Sequence, residues 1–333
     1  MLQIKNEWAP LDPFLNLERK VHVADLNQPA VSELKIEKTP EVLAGLRAYL
    51  TEKGLSPSAL ITYLKNPHDF YLAYVLGLRE EDRLSSDIDH AILGQLVHNL
   101  LEDIYKPYLN RTPDFEELFK SWQSSGEKRV GEEMEKHFSA DMMANGRIQL
   151  LRPIVKKWVA DFLENEKKRA KKSKFQVAAV ELPLDTILEP HETGLSTPIR
   201  LKGIVDRVDQ LDSGEYLITD YKTGMVKDRD LKLESGDWLP FEEKMSKALQ
   251  LLYYAVLYSR NNQHLFSGPV QASIYSFRNA KAGLLYLYYN RDLQISPEVQ
   301  QEFIRFVSAV VQEMLNPEIP FVRNEDAYQK FFA

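Results

Sequence analysis

Residues 203–224, GIVDRVDQLDSGEYLITDYKTG, decide how this chain folds. Two β-rich runs flank the turn Asp212-Ser213-Gly214, and this order is typical of a β-hairpin. A three-residue loop with glycine in the left-handed third position pairs Leu211 with Glu215. Because the numbers of paired residues have a constant sum in an antiparallel ladder, the turn predicts that Asp206 lies directly opposite Asp220.

The predicted hairpin brings charged groups together at one end of the strand pair. Directly opposed like charges destabilise a sheet, and the two-residue alternation of a strand adds Lys222 to the same face. A divalent cation between Asp206 and Asp220 would remove the repulsion. Magnesium prefers oxygen ligands and keeps several waters, which leaves positions for a phosphate oxygen and an attacking water. The alternative is a solvent-exposed hairpin with a surface Asp-Lys pair.

The pattern on either side of the hairpin predicts the fold class. Residues 41–173 have helical periodicity, and Ser56-Pro57 is a typical helix start. From residue 174 onward three strands, a helix, two more strands and a final helix follow one another. This order predicts an α/β protein with a small central mixed β-sheet flanked by helices. We expect an extended linker over residues 1–40, a helical subdomain over 41–173 and an α/β core over 174–333.

Composition excludes several classes of site. The chain of 333 residues has no cysteine, so disulfides, thiolate zinc sites and iron-sulfur clusters are excluded. A metal would have to bind oxygen and imidazole ligands. The formal net charge of −7 does not indicate a nucleic-acid partner, but a local basic groove is compatible with it.

Targeting and nucleotide-binding patterns are also missing from the sequence. The apolar run 249–258 is about half as long as a bilayer-spanning helix, so we expect no membrane span. The opening MLQIKNEWAP does not resemble an export signal, and a cytoplasmic location is therefore expected. A glycine loop of the GxxxxGK type is lacking, so the chain carries no visible ATPase motif. The abrupt opening suggests a segment of a longer polypeptide.

Five ordered motifs resemble the PD-(D/E)XK nuclease superfamily, in particular the nuclease domain of RecB/AddB-type helicase-nucleases. They are LSPSALITYLKNPHDFYL from residue 55, LGQLVHNLLE from 93, GIVDR from 203, DYKTG from 220 and QLLYYAVL from 250. The resemblance implies a restriction-endonuclease-like core that hydrolyses DNA phosphodiesters with Mg²⁺ or Mn²⁺. It also implies an exonuclease module in double-strand break repair and recombination. The implied partners are DNA and a helicase subunit or a helicase domain of the same polypeptide.

The resemblance assigns roles to residues of these motifs. Asp206 and Asp220 are similar to the two acidic metal ligands, and Lys222 is similar to the catalytic lysine. Tyr221 would offer its backbone carbonyl to the metal. His98 resembles the nitrogen ligand that a helix contributes in this branch, and Gly94 one turn earlier would let that helix come close.

The remaining motif residues have less definite roles. Gln250 and Tyr254, spaced i and i+4, match the QxxxY motif that contacts substrate or the lysine, and we count both as candidate catalytic residues. Arg207 and Thr223 belong to the same motifs. Glu181 matches a recurrent acid of the family whose role is not assigned.

One departure from the family pattern bears on the C-terminal tail. Iron-sulfur members have a cysteine where this chain has Asn66, and three more after the last helix. No cluster can form here, so we expect packing or hydrogen bonds to hold the tail, PFVRNEDAYQKFFA from residue 320.

Other interpretations stay open at this point. The chain could be a catalytically silent DNA-binding or scaffolding module with the nuclease fold, or a phosphohydrolase acting on RNA or small nucleotides. The basic run KKRAKKSK over 167–174 is either a solvated helix end or an edge that contacts DNA phosphates. Tyr63, Tyr71 and Tyr74 are candidates for stacking on unpaired bases.

Overall fold

The structure is a computed structural model that describes residues 35–78, 86–235, 238, 240–262 and 269–324. The linker predicted over residues 1–40 lies outside the described residues except for 35–40. Within the described part, residues 35–36 pair with a C-terminal strand rather than run free. The boundaries predicted at residues 40 and 173 stay a prediction.

Helices surround the sheet. They are α1 (Pro40–Ala48), α2 (Pro57–Lys65), α3 (Pro67–Phe70), α4 (Ser86–Tyr105), α5 (Phe115–His137), α6 (Ala140–Met143), α7 (Gly146–Gln149), α8 (Leu151–Ala170), α9 (Pro190–Thr193), α10 (Ser246–Asn261) and α11 (Pro297–Leu315). Helix α2 begins as its sequence predicts. Ser56 caps it by accepting a hydrogen bond from Ala59 N, and proline occupies the first turn.

The central sheet has five strands in the order β2-β3-β4-β6-β7. The strands are β1 (Lys35–Ile36), β2 (Phe175–Leu188), β3 (Ile199–Leu211), β4 (Tyr216–Lys222), β5 (Lys232–Leu233), β6 (Val270–Ser276), β7 (Leu284–Tyr286), β8 (Tyr288–Tyr289) and β9 (Phe321–Val322). Only β4 and β6, which α10 connects, are parallel neighbours in this sheet. The predicted mixed α/β fold is therefore confirmed.

The β3–β4 hairpin has the register that its turn predicts. Gly214 has φ of +87°, the left-handed region, and Leu211 N donates to Glu215 O at 2.8 Å. Arg207 pairs with Thr219, which places Asp206 and Asp220 at the adjacent position. The hairpin prediction is confirmed.

Helices cover both faces of the sheet and bury a core on each. On one face α10 contacts β2, β3, β4 and β6, and α2 and α11 pack against α10. On the other face α4, α5 and α8 share a core with Phe175, Tyr221 and Phe277. The long helices before residue 173 thus pack directly on the sheet and position whatever they carry over it. Among the described residues, no helix combines the length and apolar character that crossing a membrane requires.

An aromatic cluster fixes the start of the C-terminal tail. Phe321 is fully buried, stacks on Tyr71 at 5.0 Å between ring centroids and lies near Tyr63 and Phe70. Lys38 Nζ lies 4.6 Å from the Phe321 ring centroid. Asn324 adds a side-chain hydrogen bond to Lys65 O at 3.2 Å. Packing and hydrogen bonds therefore hold the tail up to residue 324, and the rest of it lies outside the described residues.

Replacing Phe321 with alanine should lower the free energy of unfolding by about 3–5 kcal/mol, because it empties a fully buried aromatic site. Ile319, two residues earlier and 41% exposed, provides the control, since Ile319→Ala should change stability by less than about 0.5 kcal/mol. Urea denaturation of both variants measures the difference. Equal denaturation midpoints would show that Phe321 does not hold the tail.

Candidate active site

His98 of α4 points at the hairpin and contacts both of its strands. Its Nε2 lies 3.1 Å from the main-chain oxygen of Tyr221, and its Nδ1 lies 3.5 Å from Asp206 Oδ1. The expectation that a bare face at Gly94 allows this approach is wrong, because a Cβ there would lie 3.9 Å from Thr223 Oγ1, an ordinary van der Waals contact. The helix and hairpin thus bring together residues more than a hundred positions apart.

A third side chain, Glu181 of β2, joins this pair. Its Oε1 lies 3.4 Å from His98 Nδ1. One ligand atom from each of His98, Glu181 and Asp206 lies within 4.8 Å of the others, so the three could hold a metal ion. One imidazole nitrogen and two carboxylates suit Mn²⁺, and the carboxylates suit Mg²⁺.

Asp220 and Lys222 form a second pair beside this group. Asp220 is 2% exposed, and Lys222 Nζ donates a hydrogen bond to its Oδ1 at 3.0 Å. The same ammonium lies 2.8 Å from Oδ2, but the described residues donate no hydrogen bond to that buried oxygen. The Lys222 ammonium thus lies against both oxygens of the buried carboxylate and supplies its positive charge.

The charges of the site, which are buried or half-buried, act on one another at short range. Burial opposes the positive charge of His98, yet Asp206, Glu181 and Asp220 raise its pKa to about 9. Burial, reinforced by Asp220 and opposed by His98 and Lys222, raises the pKa of Asp206 to about 7. Lys222 also has a raised pKa, because Asp220 and Asp206 outweigh its burial. The buried acids therefore need positive charge close by.

The QxxxY residues of α10 border the same acids. Gln250 Nε2 donates to Tyr254 Oη at 3.1 Å. Burial first, then the charges of Asp220 and Asp206, raise the pKa of the Tyr254 hydroxyl. Gly203 lets α10 approach β3, because a Cβ at residue 203 would lie 3.0 Å from Tyr254 Cε1.

Glu181 matches a family motif, but the sequence does not indicate that it belongs to the metal group. Glu181 lies between the pairs Val180–Arg207 and Leu182–Val205, hence beside Asp206, and it adopts φ of +43°. A non-glycine residue in this region of a strand is strained, and such strain is common at functional sites. A register shift between Val177 and Ala179 moves Glu181 to this position. Neither the shift nor the strain has a signal in the sequence.

Two groups of candidate DNA contacts, the basic run 167–174 and the tyrosines of the first helices, are less accessible than the sequence suggested. In the basic run, Lys167 pairs with Glu116 at 3.1 Å and Arg169 pairs with buried Asp209 at 2.7 Å. Tyr63 is 3% exposed and Tyr71 is 7% exposed, so both belong to the core. The prediction that Tyr63 or Tyr71 stacks on a base is therefore wrong for this conformation, because neither ring is exposed.

The fold and these motifs agree with a family comparison. Residues 54–327 match the model of the PD-(D/E)XK nuclease superfamily. The chain belongs to this superfamily. Its members are typically metal-dependent phosphodiesterases.

Individual relatives are distant and much longer. A subunit of the ATP-dependent helicase/deoxyribonuclease of Streptococcus uberis is 24% identical over 306 residues, 78% of this chain and 26% of the relative. The protein of the same name from Thermoanaerobacter is 27% identical over 247 residues, 70% of this chain and 20% of the relative. A Streptococcus agalactiae counterpart is 26% identical over 174 residues, 52% of this chain and 14% of the relative. The chain thus spans about a quarter or less of these relatives.

The contact at Gly203 can be tested by adding a single methyl group. Gly203→Ala should destabilise the protein by about 1–3 kcal/mol, since the new Cβ meets Tyr254 and Leu257 at 3.0 and 3.1 Å. This cost outweighs the roughly 0.4–1 kcal/mol that replacing glycine can contribute through the unfolded chain. Gly224→Ala is the control, because no atom lies within 4 Å of its Cβ position. Thermal or urea unfolding that ranks the two variants alike would contradict the close approach.

Proposed function

We propose that this chain is a divalent-metal-dependent deoxyribonuclease that hydrolyses DNA phosphodiester bonds. The observation that supports the proposal is the convergence of His98, Glu181 and Asp206 beside the Asp220–Lys222 pair. Three carboxylates on adjacent strands, with an imidazole and an ammonium among them, suit a site for a cation and a phosphate better than a site built for stability.

Each residue has a role in this proposal. Bound Mg²⁺ or Mn²⁺ would neutralise the acids and polarise a phosphate oxygen. His98, Asp206 and Asp220 would hold the ion together with the Tyr221 carbonyl, and we add Glu181 to this set. In the structure His98 Nε2 contacts that carbonyl, so the imidazole would offer Nδ1, which faces both Glu181 and Asp206. Because the two ring nitrogens point in different directions, the Tyr221 carbonyl could join an ion at Nδ1 only after the imidazole turns away from it.

Lys222 is the candidate for transition-state stabilisation. Its ammonium, oriented by Asp220, would hold the attacking water or stabilise the charge that develops on the phosphate. Tyr254, held by Gln250 at 3.1 Å, would border the same phosphate.

The relatives suggest a biological setting, which we propose for this chain as well. Their name describes one subunit of an ATP-dependent helicase/deoxyribonuclease. We propose an exonuclease module that acts on DNA ends in cytoplasmic double-strand break repair and recombination. Its helicase partner would be a separate subunit or another part of the same polypeptide.

Metal binding can be measured without activity. At one hundred times its dissociation constant, Mn²⁺ should stabilise the wild-type protein by about 2.7 kcal/mol, because it binds the folded state. Asp206→Asn should remove most of this increment. The control is Asp212→Asn, the same chemical change in the exposed turn. Thermal melting with and without Mn²⁺ measures both; a full increment in Asp206→Asn would place the ion elsewhere.

Cleavage assays test the chemistry. Lys222→Met should reduce the rate of DNA hydrolysis by about 10²–10³-fold, as expected for losing one preorganised charge at the phosphate. Asp220→Asn should be at least as damaging, because it also removes a proposed ligand. Lys202→Met, an exposed lysine on the neighbouring strand, should retain activity.

The choice of substrates separates the alternatives. Single-stranded DNA, duplex DNA and RNA should be compared with Mg²⁺ and with Mn²⁺. Binding of DNA without hydrolysis by the wild-type protein would favour the silent module, and preferential hydrolysis of RNA or nucleotides would favour the phosphohydrolase.

A further inference from the structure

A buried ion network lies behind the hairpin. We call it the Arg207 network; its members are Arg207, Asp209, Glu166 and Arg169. Arg207 donates to Asp209 Oδ1 from Nε at 2.8 Å and to Oδ2 from Nη2 at 2.7 Å, and Nη2 also contacts Glu166. Arg169 Nη1 donates to Asp209 Oδ2 at 2.7 Å. The side chains of Arg207, Asp209 and Glu166 are at most 2% exposed.

Stability alone does not account for such a network. The four charges balance, but removing them from water is costly, and well-packed apolar residues commonly stabilise a core at least as well. A buried arginine that makes two parallel hydrogen bonds to a carboxylate has a fixed orientation, however, because its planar guanidinium matches the carboxylate in one geometry. The fixed orientation of Arg207 can therefore hold the elements around it in place.

The Arg207 guanidinium contacts two of the elements that carry the proposed site and belongs to a third. It lies 4.6 Å from the ring centroid of Tyr105, which is on α4 two turns after His98. Its Nη1 donates to the Tyr221 hydroxyl on β4 at 3.4 Å. On β3, Arg207 itself follows Asp206 directly.

Side chains alternate along β3 and β4 between the proposed site and the Arg207 network, so the two are linked through the same strands. Asp206 faces His98 while the next residue, Arg207, enters the network. Asp220 and Lys222 pair with each other while Tyr221, between them, enters the core. The Tyr221 main chain then joins the two sides, because its N donates to Asp206 Oδ2 at 2.6 Å and its O contacts His98 Nε2.

We propose that Arg207, held by Asp209 and Glu166, is a positioning residue that aligns α4, β3 and β4 and thereby preorganises the metal site. This inference rests on the proposed function. The network itself would touch neither the ion nor the phosphate. It would act on the site indirectly, because the oriented Arg207 contacts the hydroxyl of Tyr221 on β4 and the ring of Tyr105 on α4.

The experiment measures Mn²⁺ affinity by titration calorimetry on folded protein, without substrate. Glu166→Gln keeps the shape of the side chain and removes one charge that holds Arg207; Arg207→Lys keeps the charge and loses the fork. Both should weaken Mn²⁺ binding by about 10–100-fold, the usual effect of disturbing residues that orient metal ligands. If Arg207→Lys does not fold, as judged by circular dichroism, Glu166→Gln decides.

Two controls separate positioning from general stability. Tyr105→Phe removes a buried hydroxyl that has no hydrogen-bond partner among the described residues but keeps the ring under Arg207. Phe321→Ala destabilises the protein at the tail, away from the network. Both should bind Mn²⁺ like the wild type.

The outcomes are distinguishable. Wild-type affinity in folded Glu166→Gln and folded Arg207→Lys would overturn the inference and leave a structural ion network. A general loss of affinity that includes Phe321→Ala would overturn it as well, since affinity would then follow stability. A wild-type protein that binds no Mn²⁺ would overturn the proposed function, and this inference with it.

Discussion

Repulsion among buried carboxylates on adjacent strands is the constraint around which this molecule is arranged. Asp206 and Asp220 occupy neighbouring positions of β3 and β4, and both are nearly inaccessible to water. The chain compensates them with His98 from a helix on one face of the sheet, Lys222 from the strand itself and the amide of Tyr221. The contact from His98 requires α4 to lie close to the hairpin. The core that α4 shares with the sheet holds the helix there.

The sequence predicts those parts of the structure that depend on local geometry. The turn at residues 212–214 fixes the hairpin register, because a left-handed glycine allows a single pairing of the flanking residues. Likewise Ser56 and Pro57 define the start of α2. The motifs around His98 and Gln250 carry enough pattern to place them near the hairpin through family resemblance.

What the sequence does not predict depends on long-range packing. Glu181 reaches the site because β2 shifts its register between Val177 and Ala179 and because residue 181 adopts a strained conformation. Arg169 reads as part of a solvated basic run, yet α8 turns it inward to Asp209. A charge run reveals which residues are basic but not which face of a helix is buried. That face is set by partners forty positions away.

The C-terminal segment shows how packing can hold two distant parts of a chain together without a metal cluster. Asn66, the position of one expected departure from the family pattern, caps α3 through a hydrogen bond from Asp69 N. The aromatic rings of Tyr63, Phe70 and Tyr71 then surround Phe321, and β1 pairs with β9, the strand that contains Phe321. Such a contact is insensitive to oxidation, because it contains no thiolate. It also belongs to the core on the face of the sheet opposite α4, the helix that carries His98.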